Sequence, residues 1–353
     1  MGKIYYGGQA VMEGVMMQGP RGKAIACRKE DKSIVYNIAE VRPPKERYPI
    51  LGWPVIRGFI SFFFSLKSGV QDLTWSAAQI GESEEESLST KDMVLAIAVA
   101  LIVTMLFFVA LPVWLGTLVY PYIGGFGRSL LEGILRLSLF LSYVLLIRRM
   151  PEIKRLFAYH GAEHKTINAL EAGVTLKPET VSGFSRIHTR CGTSFILMVM
   201  VMMILIFTFI GQTKGAWGRM GIKLMLMPLI AGLSYELFRL PLRFPESRLV
   251  KLLVAPGLAM QRLTTAEPDD GQLAVAIAAL IHVPGFEFTD QIPEEEIIPE
   301  PETAQEQVQL TVQDSAQDPV LIQEPNPNQV QNTVQDTVQH PGQKTEAEQE
   351  IIC

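Results

Sequence analysis

The amino-acid sequence predicts an α-helical polytopic membrane protein with about four transmembrane helices, a small N-terminal β-hairpin element and a disordered C-terminal tail. Three observations predict this fold class: long uncharged apolar runs, Lys and Arg gathered in alternate connecting segments, and an acidic, Pro- and Gln-rich end. Residues 284–353 hold fifteen acidic residues and one basic residue, about −14. The formal net charge of −5 therefore leaves about +9 on residues 1–283, so the body of the chain is basic and apolar.

The predicted spans are residues 93–118, 129–147, 194–211 and 221–240, which together define a membrane domain at 93–240. The first run has no charged residue and is long enough to cross about 30 Å of hydrocarbon as a helix. The second carries Glu132 and Arg136 near one end, and the third is uncharged. The fourth is the weakest because four residues interrupt it: Lys223, Pro228, Glu236 and Arg239.

The distribution of Lys and Arg predicts the orientation of the chain. The segments after the second and fourth spans are basic, whereas the loop between the first two spans has only Arg128. Basic connecting segments stay on the cytoplasmic side, so both termini should be cytoplasmic. These basic residues flank apolar runs and are not interleaved with stacking aromatics. The lipid bilayer is therefore the expected partner, and nucleic acid is not.

Four segments outside the spans have their own predictions. Residues 1–50 are Gly-rich and contain the hairpin, at 23–41, around the polar turn 29–33. We expect residues 51–80 to form an interfacial or re-entrant helix, because their apolar run is too short to span a membrane. Residues 241–283 predict a membrane-proximal cytoplasmic helix segment, with a short amphipathic helix beginning near Thr264 and Thr265. The disordered tail, 284–353, is either dispensable or binds a protein partner.

Residues 151–173, PEIKRLFAYHGAEHKTINALEAG, form the most informative segment. Pro at the start and Gly at the end are typical of a helix with these bounds. At about 100° per residue, His160, His164 and Glu171 share one apolar arc of the helix, with Glu163 at its edge. The opposite face carries Lys154, Arg155, Lys165 and Ala169. Because the titratable groups lie on the face that should pack, we expect them to pair or to bind a cation.

The order of His160, Glu163 and His164 is the H-x-x-E-H order of the inverzincins. In that arrangement the two imidazoles bind zinc and the Glu activates the bound water. A catalytic zinc needs a third protein ligand. Three residues are candidates for it: Glu171, His188 and Cys191. The sequence thus predicts a divalent metal, zinc, with Glu163 as general base, and a buried His–Glu hydrogen-bond network is the alternative.

Two other stretches bear on the site. Residues 5–20 contain several glycines, which permit close approach to a ligand or another chain, and the acid Glu13. Glu13 should pair with the metal or with an arginine, although a buried turn with an ordinary ion pair explains the stretch equally well.

Cys191 and His188 could form a nucleophile pair, but no orienting acid is evident. The three cysteines of the chain are far apart and predict no disulfide framework.

Four blocks of the sequence resemble the bacterial YqhQ-like family, a domain-of-unknown-function family. The blocks are, in order, GGQAVMEGVMMQGP, YHGAEHKTINALE, HTRCGTSF and APGLAMQRLTTAEPDD, and the resemblance covers about residues 5–282. The family is described as membrane proteins and predicted metal-dependent enzymes. The resemblance therefore implies a metal role for His160, Glu163 and His164, and it makes His188 and Cys191 candidates. Unlike in a typical inverzincin, the motif lies between spans and no downstream helix offers an obvious third Glu ligand, so the resemblance does not itself imply protease activity.

These observations lead to the expectation of a metal-dependent enzyme in the bacterial inner (cytoplasmic) membrane, a hydrolase acting on a membrane-proximal substrate. The alternative is a non-enzymatic membrane scaffold or assembly factor, in which the His/Glu helix is structural and the tail recruits partners. Transport ranks last, because ion pathways need titratable residues within the spans and few are present. These are Glu132, Arg136, Lys223, Glu236 and Arg239.

Overall fold

An antiparallel sheet opens the fold in a computed structural model that describes residues 5–41, 52–80, 90–209 and 216–286. Its strands pair in chain order and are β1 (Gly7–Val11), β2 (Gly14–Gln18), β3 (Gly22–Arg28) and β4 (Ile34–Glu40). The hairpin predicted at 23–41 is confirmed as the β3–β4 pair. Segment 5–20, for which no strand was predicted, contributes β1 and β2. Its apolar runs are too short to show the alternation of a strand.

The helices account for most of the remaining described residues. They are α1 (Ile56–Ile80), α2 (Thr90–Met105), α3 (Leu111–Ile147), α4 (Pro151–Ala172), α5 (Pro178–Ser182), α6 (Gly192–Phe209), α7 (Ala216–Phe238), α8 (Leu240–Arg243), α9 (Arg248–Thr264) and α10 (Asp270–Ile281). A π-helical segment, Leu106–Ala110, joins α2 to α3. The predicted bounds of α4 are confirmed, since Pro151 begins it and Gly173 ends it with a left-handed φ of 68°.

Three stretches of the described helices are long and apolar enough to cross a membrane, which indicates a membrane protein: Ala98–Ile147, Gly192–Phe209 and Gly221–Arg243. The first stretch covers most of the first predicted span and all of the second. It is interrupted at Gly124, whose φ of 62° and ψ of −168° are not helical. Arg136 Nε also donates to the carbonyl of Phe108 at 3.0 Å, a contact that a straight helix cannot make. The stretch therefore folds back near Gly124 as a helical hairpin.

The sheet is a middle layer with both faces covered. Val15 and Met17 lie in a core with residues of α4 and α10, including Tyr159 and Leu273. Met16, which lies between them on β2, and its β3 partner Ile25 instead pack with Trp75 of α1 on the other face. This alternation follows from the two-residue period of a strand. The N-terminal sheet, the central helix α4 and the late helix α10 thus share one core, although they are far apart in the sequence.

The second half of segment 241–283 differs from its prediction. Thr264 does not start a helix but ends α9, and the cap of α10 is Asp269, whose carboxylate accepts from the Gln272 N–H at 2.7 Å. Helix α10 is not amphipathic either, because the sheet, α4 and α5 surround it and Leu273 and Leu280 are fully buried. The charged residues that precede it suggested an exposed face, but they belong to the connection and the cap.

Helix α1 is longer than its apolar run and links the sheet to the membrane helices. Lys23 of β3 donates to Asp72, which is 3% exposed, and Gln9 Nε2 donates to the same carboxylate at 3.1 Å. At its other end Arg57 pairs with Glu236 of α7. An interfacial position of α1 stays a prediction. Of the predicted disordered tail, 284–353, the part from 287 onward lies outside the described residues.

Candidate metal centre

Two histidines of α4 and a cysteine just before α6 bring three metal-ligating groups together. One donor atom each of His160, His164 and Cys191 lies within 4.8 Å of the other two. His160 Nε2 is 3.1 Å from Cys191 Sγ, and the two imidazole centroids are 4.5 Å apart. His164 is 1% exposed and Cys191 is 6% exposed. We call these three residues the His–Cys cluster.

Backbone carbonyls orient both rings of the cluster. His160 Nδ1 lies 2.9 Å from the Thr264 carbonyl oxygen, and His164 Nδ1 lies 2.7 Å from that of Arg186. A carbonyl oxygen only accepts, so each Nδ1 carries a hydrogen, and in the neutral ring Nε2 is then the nitrogen that can bind a metal. Within the described part of the chain, His164 Nε2 is buried without a hydrogen-bond partner. Imidazoles that bind metals are held in this way by their second nitrogen.

Glu163 places its carboxylate between the two rings. Its Oε2 is 3.9 Å from His160 Nε2 and 3.7 Å from His164 Nε2, and the residue is 4% exposed. Burial raises the pKa of Glu163, while the charges of His160 and His188 and a hydrogen bond from the Gly8 N–H act in the opposite direction. A Cβ on Gly8 would lie 3.0 Å from Glu163 Cγ. The absence of a side chain at Gly8 therefore lets β1 close over the carboxylate.

The other two candidates for the third ligand lie outside the cluster. His188 Nε2 is 3.6 Å from Glu171 Oε2, and Arg190 binds the same carboxylate. These partners, His188 first, lower the pKa of Glu171 to about 2. The ring of His188 is 5.8 Å from that of His164, so the pair borders the cluster from one side. Cys191 contacts His160 rather than His188, which is not the nucleophile pair that the spacing indicated.

Glu13 lies away from the cluster and pairs with an arginine, the second of its two expected partners. Arg155 Nε donates to Glu13 Oε1 at 2.6 Å, and the Tyr159 hydroxyl donates to Oε2 at 3.3 Å. Glu13 has a left-handed φ of 48° in the turn between β1 and β2. The ion pair therefore ties this turn to α4 and helps to position β1 over Glu163.

A buried glutamine holds the loop that carries His188. Gln261 of α9 is fully buried, accepts from the His188 N–H at 2.8 Å and donates to the His188 carbonyl at 2.7 Å. Sequence reasoning missed this residue. The sequence held a signal for it in the helical spacing of five residues, all of which the structure buries: Val250, Val254, Gly257, Gln261 and Thr264. A polar side chain on such a stripe is a candidate for an internal hydrogen-bond network.

Comparison with known proteins places the cluster in a family. A family model described as a protein of unknown function (DUF1385) matches residues 53–285. The chain belongs to the DUF1385 family. An uncharacterized protein YqhQ of Bacillus subtilis (strain 168) is 33% identical over 314 residues, which cover 83% of this chain and 97% of that relative. No solved structure matches the chain. The region matched by the DUF1385 model contains the whole His–Cys cluster and Glu163, whereas the sheet precedes it.

The connection between α9 and α10 packs directly on α4 beside the cluster. The Ala266 N–H donates to the Phe157 carbonyl at 2.8 Å. Lys165 was expected on the face that points away from the packed surface, yet it is 4% exposed. Its ammonium donates to the Ser182 carbonyl at 2.6 Å and to Glu267. The connection covers this side of the helix, so α4 is buried on more than one face.

Gly161→Ala should damage this packing and the cluster together. The new Cβ would lie 2.1 Å from the Ala266 carbonyl oxygen, so the connection and the nearby Thr264 carbonyl must move. We expect a loss of about 1–3 kcal/mol in the free energy of unfolding, together with weaker metal binding. Thermal unfolding and metal analysis measure both effects. Gly221→Ala, a helical position with nothing within 4 Å, is the control, and equal behaviour of the two variants would contradict the prediction.

Proposed function

We propose that this DUF1385 protein is a metal-dependent enzyme of the bacterial inner membrane, a hydrolase that acts on a membrane-proximal substrate. Zinc would be held by His160, His164 and Cys191. The observation that supports this most is the convergence of three buried donors whose two imidazoles are both held by carbonyls through Nδ1. A buried network alone does not explain why His164 Nε2 faces the cluster without a hydrogen-bond partner among the described residues.

The donor set suits zinc, which takes imidazole nitrogen and thiolate sulfur at one site. Three protein ligands leave one position open, as in catalytic rather than structural zinc sites. Zinc would supply a Lewis acid that polarises a substrate oxygen and lowers the pKa of a water. Glu163 would accept and return the proton, because its carboxylate lies within 3.9 Å of both histidines and burial raises its pKa.

The position of the cluster supports a substrate at the membrane surface. Helix α4 begins four residues after the apolar stretch that ends at Ile147, and Cys191 directly precedes the stretch Gly192–Phe209. The basic segment around α4 favours the cytoplasmic side, with both termini on that side. An apolar cavity of about 50 Å³ lies next to the His188 loop, lined by Thr189, Ser194 and residues of α6 and α9. It can take an apolar part of a substrate.

The test uses the full-length protein in liposomes that contain labelled phospholipids or labelled single-span peptides. We expect product formation that requires zinc, stops with a chelator and is absent in His164→Ala.

The contact between His160 Nε2 and Cys191 Sγ at 3.1 Å favours one other function, that of an enzyme with a metal-free thiol nucleophile. Turnover that survives chelation but not Cys191→Ala would establish that reaction and overturn the zinc enzyme. A folded protein without metal or turnover would favour the scaffold.

A further inference from the structure

A neutral amide on α4, that of Asn168, holds the loop between α5 and α6. Its Nδ2 donates to the Ser185 carbonyl oxygen at 2.6 Å and to that of Ile187 at 3.1 Å. Carbonyl oxygens only accept, so the nitrogen of the amide, and not its oxygen, faces the loop. An amide nitrogen has two hydrogens to donate. Asn168 therefore uses both of them on backbone carbonyls of this loop.

The carbonyl between these two is the one that orients His164. His164 Nδ1 donates to the Arg186 carbonyl oxygen at 2.7 Å. His164 and Asn168 are four residues apart, so they lie one above the other on the same face of α4. Residues 183–191 form neither helix nor strand, so no regular ladder of hydrogen bonds holds their carbonyls. One face of α4 instead holds three successive carbonyls of this loop.

The side chain of Arg186 connects this loop to the support of the second imidazole. Its Nη1 donates to the Thr265 carbonyl oxygen at 3.1 Å, just after the end of α9. The preceding carbonyl, that of Thr264, accepts from His160 Nδ1 at 2.9 Å. The two carbonyls that orient the rings of the His–Cys cluster thus belong to one hydrogen-bonded unit, which runs from α4 through the loop to the end of α9.

Stability alone gives little reason for the bonds of Asn168. Ser185 is exposed, so water can satisfy its carbonyl, and a bond exchanged with water contributes little to the free energy of folding. Position is a different requirement. The groups of a metal or catalytic site must be held within about 0.5 Å of their working geometry by fixed partners. A carbonyl in an irregular loop meets this requirement when its neighbours on both sides are held, as they are here.

We propose that Asn168 and Arg186 are positioning residues of the metal centre. Asn168 fixes the carbonyl that orients His164, and the Arg186 guanidinium couples that carbonyl to the one that orients His160. The inference rests on the proposed function, because it takes the two histidines as zinc ligands. Neither side chain is itself a ligand. Their effect is to hold both imidazoles in place before the metal arrives, so that less ordering remains to be done when zinc binds.

The first measurement is the zinc affinity of full-length protein in detergent, by competition with a chromogenic chelator. Asn168→Leu keeps the approximate size of the side chain and removes both donors without a change in charge. It should weaken zinc binding about 10–100-fold, the usual effect of losing the support of a metal ligand. Arg186→Met should weaken it about tenfold. Loss of a positive charge would by itself strengthen binding of a cation, so the sign separates positioning from electrostatics.

Ser185→Ala is the control for a loosened loop. It removes the hydrogen bond from the Ile187 N–H to Ser185 Oγ, 3.0 Å long, and leaves the three carbonyls with their partners. Its zinc affinity should equal that of the wild type. Gel filtration and thermal unfolding check that each variant folds. Should Asn168→Leu fail to fold, Arg186→Met against Ser185→Ala still decides the question.

The second measurement needs no metal and keeps this inference separate from the proposed function. Proton–nitrogen NMR of zinc-free, ¹⁵N-histidine-labelled protein at pH 8 reports which ring nitrogen carries the hydrogen, and His164→Ala assigns the signal. Wild type should show the His164 hydrogen fixed on Nδ1, and Asn168→Leu should show it shared between both nitrogens. This pattern in a protein that binds no zinc would support the positioning and contradict the zinc enzyme. Unchanged zinc affinity and an unchanged His164 ring in the folded variants, or equal losses in Ser185→Ala, would overturn the positioning roles.

Discussion

Protein purified in detergent should contain about one zinc ion per chain, and the folded His160→Ala/His164→Ala variant should contain almost none. The double variant removes two of the three donors that lie within 4.8 Å of one another. Loss of residues that merely orient a metal ligand already weakens binding 10–100-fold, so loss of two ligands should cost at least about a hundredfold. Elemental analysis after gel filtration measures the metal content, and incubation with added zinc or manganese tests whether an emptied site refills.

His282→Ala is the matched control for this experiment. His282 lies outside the His–Cys cluster: its ring stacks on Tyr36 at 4.2 Å, and its ring and its backbone N–H both donate to the Ala278 carbonyl of α10. It should retain zinc at the wild-type level. Cys191→Ser should bind zinc more weakly and remove the thiolate charge-transfer band of the cobalt-substituted protein. A folded wild type without metal under all these conditions would make the histidines structural and contradict the proposed function.

The preferences of proline and glycine for helix ends predicted α4, the helix that carries His160, Glu163 and His164. Helix α4 begins at Pro151 and ends before Gly173 because both residues act within one turn of the helix end. The β3–β4 hairpin was also predictable, since its strands are separated by one short turn. The sheet on α4, the burial of α10 and the folding back at Gly124 were not. Each depends on contacts between segments far apart in the chain, which neither propensity nor periodicity records.

The same limit applies to the choice of a third ligand. Spacing left three candidates, Glu171, His188 and Cys191, because all three lie between the H-x-x-E-H residues and the third predicted span. Long-range bonds separate them in space. Gln261 of α9 holds the His188 backbone, and Arg190 and His188 bind the Glu171 carboxylate. Cys191 is left beside His160, which the carbonyl of Thr264 orients from a position 104 residues away.

Glu163→Gln should slow catalysis greatly while making the zinc-free protein more stable. A general base contributes about 10²–10⁴-fold to a rate, so turnover should fall by that factor with zinc content unchanged. The gain in stability of the zinc-free variant follows from burial of the Glu163 carboxyl, which raises its pKa above the ordinary value of 4.5. A group with a raised folded-state pKa stabilises fully below its unfolded pKa and loses that contribution as the pH rises through the folded value. At pH 8 the neutral amide of the Glu163→Gln variant should therefore raise the Tm of the zinc-free protein by several degrees, and this gain should vanish below about pH 4.5.

Glu171→Gln supplies a control of opposite sign on the same helix. Pairing with His188 and Arg190 holds the pKa of Glu171 at about 2, so its charge stabilises the fold above the unfolded pKa and that contribution is lost as the pH falls toward 2. Glu171→Gln should therefore lower Tm at pH 8, where Glu163→Gln raises it. Thermal unfolding of chelator-treated protein between pH 5 and pH 8 separates the two. If Glu163→Gln destabilised the zinc-free protein as Glu171→Gln does, or left turnover intact, Glu163 would be part of a structural network and its role as general base would be excluded.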